Sequence, residues 1–455
     1  MSGSTPVGQA PAFHGDPAQA LSVAQQLRQQ GRLEAAAAVM HAAGIASLGQ
    51  PDRVFDCAMF IKESGRHALA AELCDRQLAL SPGHLRLLAL AGSVDHELGR
   101  FDSARERYLA AIHGGIDLNQ WFLLHALSTT QRYTDPNHPD FALFEAHARD
   151  SRLSPRARAA VCFALGKACD DIGDTQRAAG MFREANGLVK SGISWSRDVW
   201  ERFVTSQMQE PHGGALTEPS GCIPVFVVGM VRSGTTLLAD RLGRHADVRN
   251  RGEMPFMAYL AGQLKAQGLL NDPRACMQAR QIYLTHLRQD DTPARWYIDK
   301  HPLNFRYVGL IQRLFPEARV IYCRRDPRDN ALSIYSQYFG HADNDYAYDF
   351  ADIASYADGC DRLMKHWMEA RGLPVHVVAY ERMVGDSEGT LADAGAFLGL
   401  AGEASATHAH TGGAIATASM WQARQPIYHR SVGRWRSYGE WLPELTELFG
   451  AGGDA

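Results

Sequence analysis

Residues 224–238 constrain the fold of this 455-residue chain more than any other stretch. They begin with the apolar run PVFVV, pass through a glycine and a polar turn, and end in the leucine-rich pattern of a helix. This order predicts a buried strand, a tight loop and a helix that opens at the loop. Because 455 residues suffice for two or three domains, other parts of the chain need not share this architecture.

The loop itself has the chemistry of an anion site. From Gly229 it follows the GxxxxG spacing of a nucleotide-binding P-loop, but two threonines stand where a P-loop has lysine and a hydroxyl residue. Backbone N–H groups of such a loop, together with the helix amino terminus, form a concave anion site. The residues predicted to line it are Arg232, Ser233, Gly234, Thr235 and Thr236. The alternative interpretation is an ordinary strand–turn–helix.

The amino-terminal part of the chain carries an internal repeat. Gly31, Gly65 and Gly99 lie 34 residues apart, and each is followed by an arginine and, further on, by an alanine. A further copy begins at Gly173. A helical period of 34 residues with small residues where helices cross resembles tetratricopeptide repeats, which implies an all-α solenoid. Such a solenoid is either a scaffold or dimerisation surface, or a surface that recruits a protein substrate.

The periodicity changes after the repeats. Short apolar runs at 224–228, 248–250, 296–299, 319–323 and 375–379 alternate with helical stretches at 307–314, 330–338 and 356–370. This alternation predicts an α/β domain with a parallel sheet, in which ligands bind at the carboxyl ends of the strands. The predicted organisation is a disordered tail at 1–17, repeats at 18–191, a linker at 192–221 and the α/β domain at 222–450.

Three further sites follow predicted strands. Glu253 comes just after the second strand and is a candidate general base, although a glutamate near a helix amino terminus is the simpler interpretation. Lys300 follows the third strand and is placed to neutralise charge on a transferred group; the alternative is a surface lysine. We expect His301 to be a hydrogen-bonded loop residue. Arg325, with Ser333 on the next helix, predicts a second phosphate clamp.

Composition narrows the range of partners. The net charge is -4, which argues against nucleic acid as a partner. The eight cysteines are scattered without a CxxC pair, so we expect reduced thiols rather than a disulfide framework or a zinc site. No apolar run reaches about 18 residues, and residues 1–17 lack the pattern of a secretion signal. These features predict a cytoplasmic protein without a membrane span.

Two phosphate clamps suggest a nucleotide that is phosphorylated at both ends of its ribose, and the motifs around them resemble those of sulfotransferases. The matching segments are residues 232–238, 252–253, 299–302, 325–333, 380–384 and 424–435. With the repeats in front, the chain resembles bacterial tetratricopeptide-repeat sulfotransferases, which are related to tyrosylprotein sulfotransferases. The resemblance implies an α/β, P-loop-like sulfotransferase domain that uses 3′-phosphoadenosine 5′-phosphosulfate (PAPS) and no metal.

The resemblance also implies roles for individual residues. Glu253 would deprotonate the acceptor hydroxyl, and Lys300, assisted by Ser419, would stabilise the leaving phosphate oxygen. Arg325 and Ser333 would hold the 3′-phosphate. The residues expected to contact adenosine are Tyr380, Ser431, Val432, Gly433 and Arg434.

The sequence departs from the family in two places. Residues 254–259 carry no basic side chain where tyrosylprotein sulfotransferases read acidic peptides, and Gln337 replaces an arginine near the 3′-phosphate site. The expected acceptor is a hydroxyl, with protein tyrosine, a carbohydrate and a small metabolite all open; the repeats favour a peptide or protein, and a homodimer is a further expectation. The alternatives are a P-loop kinase-like phosphotransferase and a catalytically inactive repeat adaptor.

Overall fold

The structure of the chain, a computed structural model, describes residues 17–209, 214–291, 293–340, 342–371, 374–400 and 429–450. Residues 1–16 of the predicted tail lie outside this range, whereas Pro17 begins the first helix. The chain divides into two compact units. One holds residues 17–117 together with 285–293, and the other holds the remaining described residues.

The first unit is built from six helices. They are α1 Pro17–Gln29, α2 Leu33–Ala46, α3 Pro51–Glu63, α4 His67–Leu80, α5 Leu85–Leu98 and α6 Phe101–His113. Consecutive helices pack against each other along the chain. Gly31, Gly65 and Gly99 each have a positive φ in the turn between paired helices, a conformation that glycine adopts without steric cost. The repeated glycines therefore mark the helix turns.

The second unit begins with five more helices. They are α7 Leu123–Ser128, α8 Pro139–Ala148, α9 Pro155–Asp171, α10 Thr175–Lys190 and α11 Arg197–Gln209. Helix α11 occupies much of the segment predicted as a linker. It forms because Trp200 and Val204 bury one of its faces, although the repeat pattern is absent there. The first stretch of the first compact unit ends at residue 117, whereas the predicted repeats continue to residue 191. Residues 118–209 belong to the same unit as the sheet.

The sheet has five parallel strands. They are β1 Ile223–Gly229, β2 Val248–Asn250, β3 Trp296–Asp299, β4 Arg319–Arg324 and β5 Val375–Ala379, in the order β2-β3-β1-β4-β5. Every predicted strand is present, with bounds that differ by at most one residue at either end. The central strand β1 pairs with β3 on one side and with β4 on the other. The loop after β1 therefore lies between the loops that follow β3 and β4.

Nine helices of the described residues lie between the strands or after the last of them. They are α12 Thr235–Leu242, α13 Phe256–Ala266, α14 Pro273–Leu287, α15 Val308–Leu314, α16 Pro327–Tyr335, α17 Phe350–Arg371, α18 Tyr380–Gly385, α19 Ser387–Leu398 and α20 Glu444–Glu447. Helix α16 begins three residues before the predicted helix at 330–338, because Asp326 caps it with bonds from the amides of Arg328 and Asp329. Ser333 consequently lies about two turns into this helix rather than one.

Both faces of the sheet are covered. On one face, Val225 and Val227 of β1 belong to a buried cluster with Leu238 and Leu242 of α12. On the other face, the Phe226 ring lies 5.8 Å from that of Tyr283 on α14. This double burial explains why β1 is apolar at successive positions. Throughout the described ranges, none of the helices combines the length and apolar character needed to cross a bilayer.

Candidate functional site

Three residues in the loop after β1 have positive φ values, which glycine adopts readily and other residues adopt with strain. Gly229 and Gly234 have φ values of 145° and 94°, and Arg232 has a φ of 69°. A Cβ on Gly229 would meet the carbonyl oxygen of Cys323 at 2.4 Å, and one on Gly234 would meet the Tyr380 ring at 2.6 Å. The two glycines thus let β4 and Tyr380 approach the loop closely.

Side chains hold the loop in place. The Ser233 hydroxyl donates to the carbonyl of Met230 over 2.7 Å, and the Asn330 amide donates to the carbonyl of Val231 over 2.9 Å. Thr235 and Thr236 begin α12, with Thr235 buried and Thr236 half-buried. The loop amides and the start of this helix form the type of concave surface that binds anions.

Arg325 follows β4 and joins the two predicted clamps. Its Nη1 donates to the carbonyl of Arg232 over 3.1 Å, and its Nη2 donates to the carbonyl of Ser431 over 2.7 Å. Its guanidinium lies 4.6 Å from the centre of the Tyr380 ring, and its Nε is buried without a hydrogen-bond partner. Burial lowers the pKa of Arg325. This side chain therefore retains a donor that an anionic ligand would satisfy.

Ser333 contacts the same group of residues. Its Oγ accepts from the Nε of Arg232 over 3.1 Å. The predicted 5′ and 3′ clamps therefore adjoin each other, because β1 and β4 are neighbours in the sheet. The Gln337 side chain bonds to the carbonyl of Tyr338 over 3.4 Å.

The carboxy-terminal segment packs onto this cluster. Asp329 accepts bonds from the amides of Gly433 and Trp435, over 2.5 Å and 2.8 Å. The hydroxyls of Tyr380 and Ser431 are 2.7 Å apart. Val432 is exposed at 40%. The segment thus contacts Arg325 through Ser431 and Asp329 through Gly433, and its contact with adenosine stays a prediction.

Arg434 points elsewhere. Its Nη2 lies 2.7 Å from a carboxylate oxygen of Asp170 on α9, and the Tyr438 hydroxyl donates to the same oxygen over 2.6 Å. This ion pair engages the guanidinium that the family resemblance assigns to adenosine.

Glu253 and Lys300 form an ion pair between their side chains. The Lys300 side chain is 2% exposed, whereas that of Glu253 is 39% exposed. The amide of Lys300 also donates to the carbonyl of Gly252 over 2.8 Å. Glu253 lies before α13 rather than in its first turn, so helix-dipole stabilisation does not account for its position. A half-exposed carboxylate over a buried ammonium is accessible to an incoming hydroxyl group.

Asp299, at the end of β3, was not among the predicted functional residues. Its carboxylate accepts from the Tyr283 hydroxyl over 2.7 Å, from the Asn304 amide over 2.9 Å and from the backbone amide of Met254 over 3.2 Å. Burial raises the pKa of Asp299 to about 7. The bond to Met254 fixes the loop that carries Glu253. An acidic residue at a strand end, directly before Lys300, was the available sequence signal.

His301 and Ser419 are the remaining residues considered from the sequence. His301 is half-buried with an unpartnered Nδ1, and burial lowers its pKa. Ser419 lies outside the described residues. No cluster of three or more histidine, cysteine or acidic side chains suited to a metal ion occurs within the described ranges.

Comparison with protein families shows which family the residues of this site resemble. Residues 224–404 match the sulfotransferase family. The matched stretch contains the anion loop and Glu253, Lys300, Arg325, Ser333 and Tyr380, whereas residues 431–434 follow it. The chain therefore consists of a helical amino-terminal region followed by a sulfotransferase-like α/β region with a parallel sheet.

Two curated relatives extend the comparison. An uncharacterised protein of Aquifex aeolicus is 28% identical over 420 residues, which cover 86% of this chain and 54% of that protein. A protein-tyrosine sulfotransferase of Drosophila melanogaster is 25% identical over 150 residues, which cover 30% of this chain and 29% of that protein. The chain thus spans about half or less of the length of these relatives.

Solved sulfotransferase domains also resemble the chain. The domain of the Synechococcus PCC 7002 olefin synthase is 17% identical with a TM-score of 0.38, covering 52% of this chain and 97% of the domain. The domain of the curacin biosynthetic pathway is 15% identical with a TM-score of 0.34, covering 50% of this chain and 99% of the domain.

Proposed function

We propose that the protein is a sulfotransferase that moves a sulfuryl group from PAPS to a hydroxyl acceptor. The observation that carries this proposal is the order of the strands. Since β1 lies between β3 and β4, its anion loop is flanked by Lys300 on one side and Arg325 on the other. Cations on both sides of an anion loop suit a ligand with two anionic groups.

The residues present fit such a donor. The Arg325 Nε is buried without a partner, and the loop amides lie on a backbone whose positive φ values Gly229 and Gly234 permit. Arg325 and Ser333 would hold the 3′-phosphate, and the amides of residues 232–236 would hold the 5′ end. Tyr380, Ser431 and Gly433 would lie by the adenosine, whereas Arg434 would act indirectly through Asp170.

The chemistry follows from the charges of this chain. When bound, the donor supplies a sulfuryl group on a phosphate leaving oxygen. Glu253 takes the proton of the acceptor hydroxyl, and Lys300 neutralises charge that develops on the leaving oxygen. A transferred sulfuryl group carries less charge than a phosphoryl group, so Arg232, Lys300 and the loop amides suffice without a metal. Ser419 would assist Lys300.

The acceptor class is part of the proposal. The relative in Drosophila melanogaster is a protein-tyrosine sulfotransferase, which supports a tyrosine or another hydroxyl of a peptide. Residues 254–259 lack basic side chains, which argues against an acidic peptide read in that way. We propose that the helix pairs of residues 17–113 are tetratricopeptide-type and recruit the acceptor; dimerisation is their alternative role.

The proposal is tested by ligand-dependent melting and by transfer. 3′-Phosphoadenosine 5′-phosphate at about 100 times its dissociation constant should stabilise the fold by about 2.7 kcal/mol. Transfer of labelled sulfate from PAPS into a lysate should then identify the acceptor. Stabilisation by ATP with Mg²⁺ instead would indicate a kinase-like enzyme, and a response to neither nucleotide would indicate an inactive adaptor.

A further inference from the structure

A cavity of about 320 Å³ lies away from the proposed active site. It is lined by residues 214–218, by residues of the first half of α14 and by Arg313 of α15. The amide of Leu216 donates to the carbonyl of Arg313 over 3.0 Å. Leu216 precedes β1 and Arg313 precedes β4, and these strands are parallel. The cavity therefore lies by the edge where the strands begin, opposite the edge that carries Lys300 and Arg325.

Two arginines in the cavity wall, Arg280 and Arg313, are each only 7% exposed. Arg280 donates to the backbone carbonyl of Glu218 over 2.6 Å and lies 3.5 Å from its carboxylate, which is 72% exposed. Arg313 donates through Nη1 to the carbonyl of Leu270. Within the described ranges, no carboxylate lies within 4.0 Å of the Arg313 guanidinium. The bond to Leu270 uses one of the five N–H donors of the Arg313 guanidinium.

A buried guanidinium remains charged, because its pKa is too high for burial to remove the proton. Burying a charge without a counter-ion is strongly unfavourable, and charged hydrogen bonds are the usual compensation. Among the described residues that line the cavity, two arginines and the carboxylate of Glu218 leave one excess positive charge. An anion with several acceptor oxygens would satisfy both the charge and the donors of Arg313.

Among the described residues, neither Cys276 nor Asp272 pairs with the Arg313 guanidinium. The Cys276 thiol donates to the carbonyl of Leu270 over 3.4 Å, and burial raises its pKa, so the thiol stays neutral. Asp272 is engaged as the cap of α14, where its carboxylate accepts from the amide of Ala275 over 2.7 Å. A cavity of this size is at the lower end of the range for small-molecule sites.

We propose that this cavity binds a small oxyanion ligand through Arg313 and Arg280, independently of the proposed donor site. The chemical class is a sulfate, phosphate or carboxylate group on a small molecule. Binding would supply the counter-ion that the described residues do not provide to Arg313.

The probes are sulfate, phosphate and acetate, added at constant ionic strength to the full-length protein saturated with 3′-phosphoadenosine 5′-phosphate. We expect at least one probe to raise the melting temperature of the wild type. The Arg313→Met variant should lose about tenfold or more in affinity for that probe. Without any probe, this variant should melt at or above the wild-type temperature, since it removes an uncompensated buried charge.

Arg274→Met is the matched control, because Arg274 is exposed on α14, the helix that carries Arg280, and does not line the cavity. It should respond to the probe as the wild type does. If Arg313→Met does not fold, Arg280→Gln serves in its place. No response of the wild type to any probe, or an equal response in the Arg313 variant, overturns the proposal. Because variants are compared with each other, this result does not depend on the proposed transfer activity.

Discussion

The Glu253 side chain is half-exposed while its partner Lys300 is almost fully buried. The exposed carboxylate of Glu253 can accept a proton from a substrate that enters from solvent. The buried ammonium of Lys300 holds that carboxylate in place. We predict that Glu253→Gln lowers the rate of sulfuryl transfer by about 10²- to 10⁴-fold, the usual contribution of a general base. Affinity for 3′-phosphoadenosine 5′-phosphate should stay within about twofold, because that ligand does not require the proton acceptor.

Rates measured with labelled PAPS and affinities measured by calorimetry separate these two effects. Glu388→Gln is a control, since Glu388 is an exposed glutamate on α19. It should change neither quantity. Normal turnover by the Glu253 variant would remove the base from the proposed mechanism.

Asp299 makes the stability of the fold depend on pH. Burial raises its pKa from 3.8 to about 7, so the folded state binds a proton that the unfolded state has released between these values. The free energy of unfolding should therefore fall as pH rises from about 4 to 7, by up to about 4 kcal/mol from this group. Asp299→Asn cannot ionise, and its unfolding free energy should fall less over this range.

Urea denaturation of both proteins at several pH values between 4 and 8 measures this difference. The variant should gain stability relative to the wild type as pH rises. Parallel pH profiles for the two proteins would show that Asp299 is ionised throughout and that its three hydrogen-bond donors compensate for its burial.

At the scale of elements, the strands were predicted well because their signals are local. The run from 224 to 228 is apolar at each position, and the structure extends this strand by one residue at each end. The start of α16 was misplaced, because the capping bonds of Asp326 outweigh the apolar periodicity that begins later. Helix α11 lies in the predicted linker at 192–221, because this segment lacks the repeat pattern that predicts the earlier helices.

The shape of the loop after β1 depends on two glycines, and Gly234 is the one that faces Tyr380. A Cβ on Gly234 would lie 2.6 Å from the Tyr380 ring, and its φ of 94° disfavours other residues. We predict that Gly234→Ala destabilises the fold by about 1–3 kcal/mol and weakens nucleotide binding, because Tyr380 and the loop must both shift. Thermal unfolding with and without nucleotide measures the two effects.

Gly180→Ala is the matched control for this substitution. Gly180 is exposed within α10, and nothing lies within 4 Å of a Cβ placed there. Alanine should stabilise a helix at such a site by up to about 1 kcal/mol. Equal effects at both glycines would mean that the loop tolerates a side chain and that Tyr380 does not restrict it.

At the scale of the molecule, the contacts that complete the site join distant parts of the sequence. Local pattern predicts Arg325 as a phosphate clamp, the family resemblance adds Tyr380 and Ser431, and the structure brings the three together. The partner of Arg434 was beyond prediction, because Asp170 lies in a helix more than 250 positions earlier. The order of the strands is likewise a property of the whole sheet and not of any one segment.

Asp170 and Asp329 hold the carboxy-terminal segment from two directions. Asp170 binds the side chains of Arg434 and Tyr438, while Asp329 binds the amides of Gly433 and Trp435. Ser431, whose carbonyl accepts from Arg325, lies two residues before the first of these attachments. Loosening one attachment should therefore reach the proposed donor site without touching any of the residues that would react.

We predict that Asp170→Asn weakens affinity for 3′-phosphoadenosine 5′-phosphate by several-fold to about tenfold, since a charged hydrogen-bond pair is lost. It should raise the KM for PAPS and leave kcat nearly unchanged, because Glu253 and Lys300 stay in place. Asp150→Asn is the matched control, as the Asp150 carboxylate accepts from the exposed Arg152 nearby. If both variants bind the nucleotide as the wild type does, Asp329 alone is sufficient to position the segment, and α9 contributes only to packing.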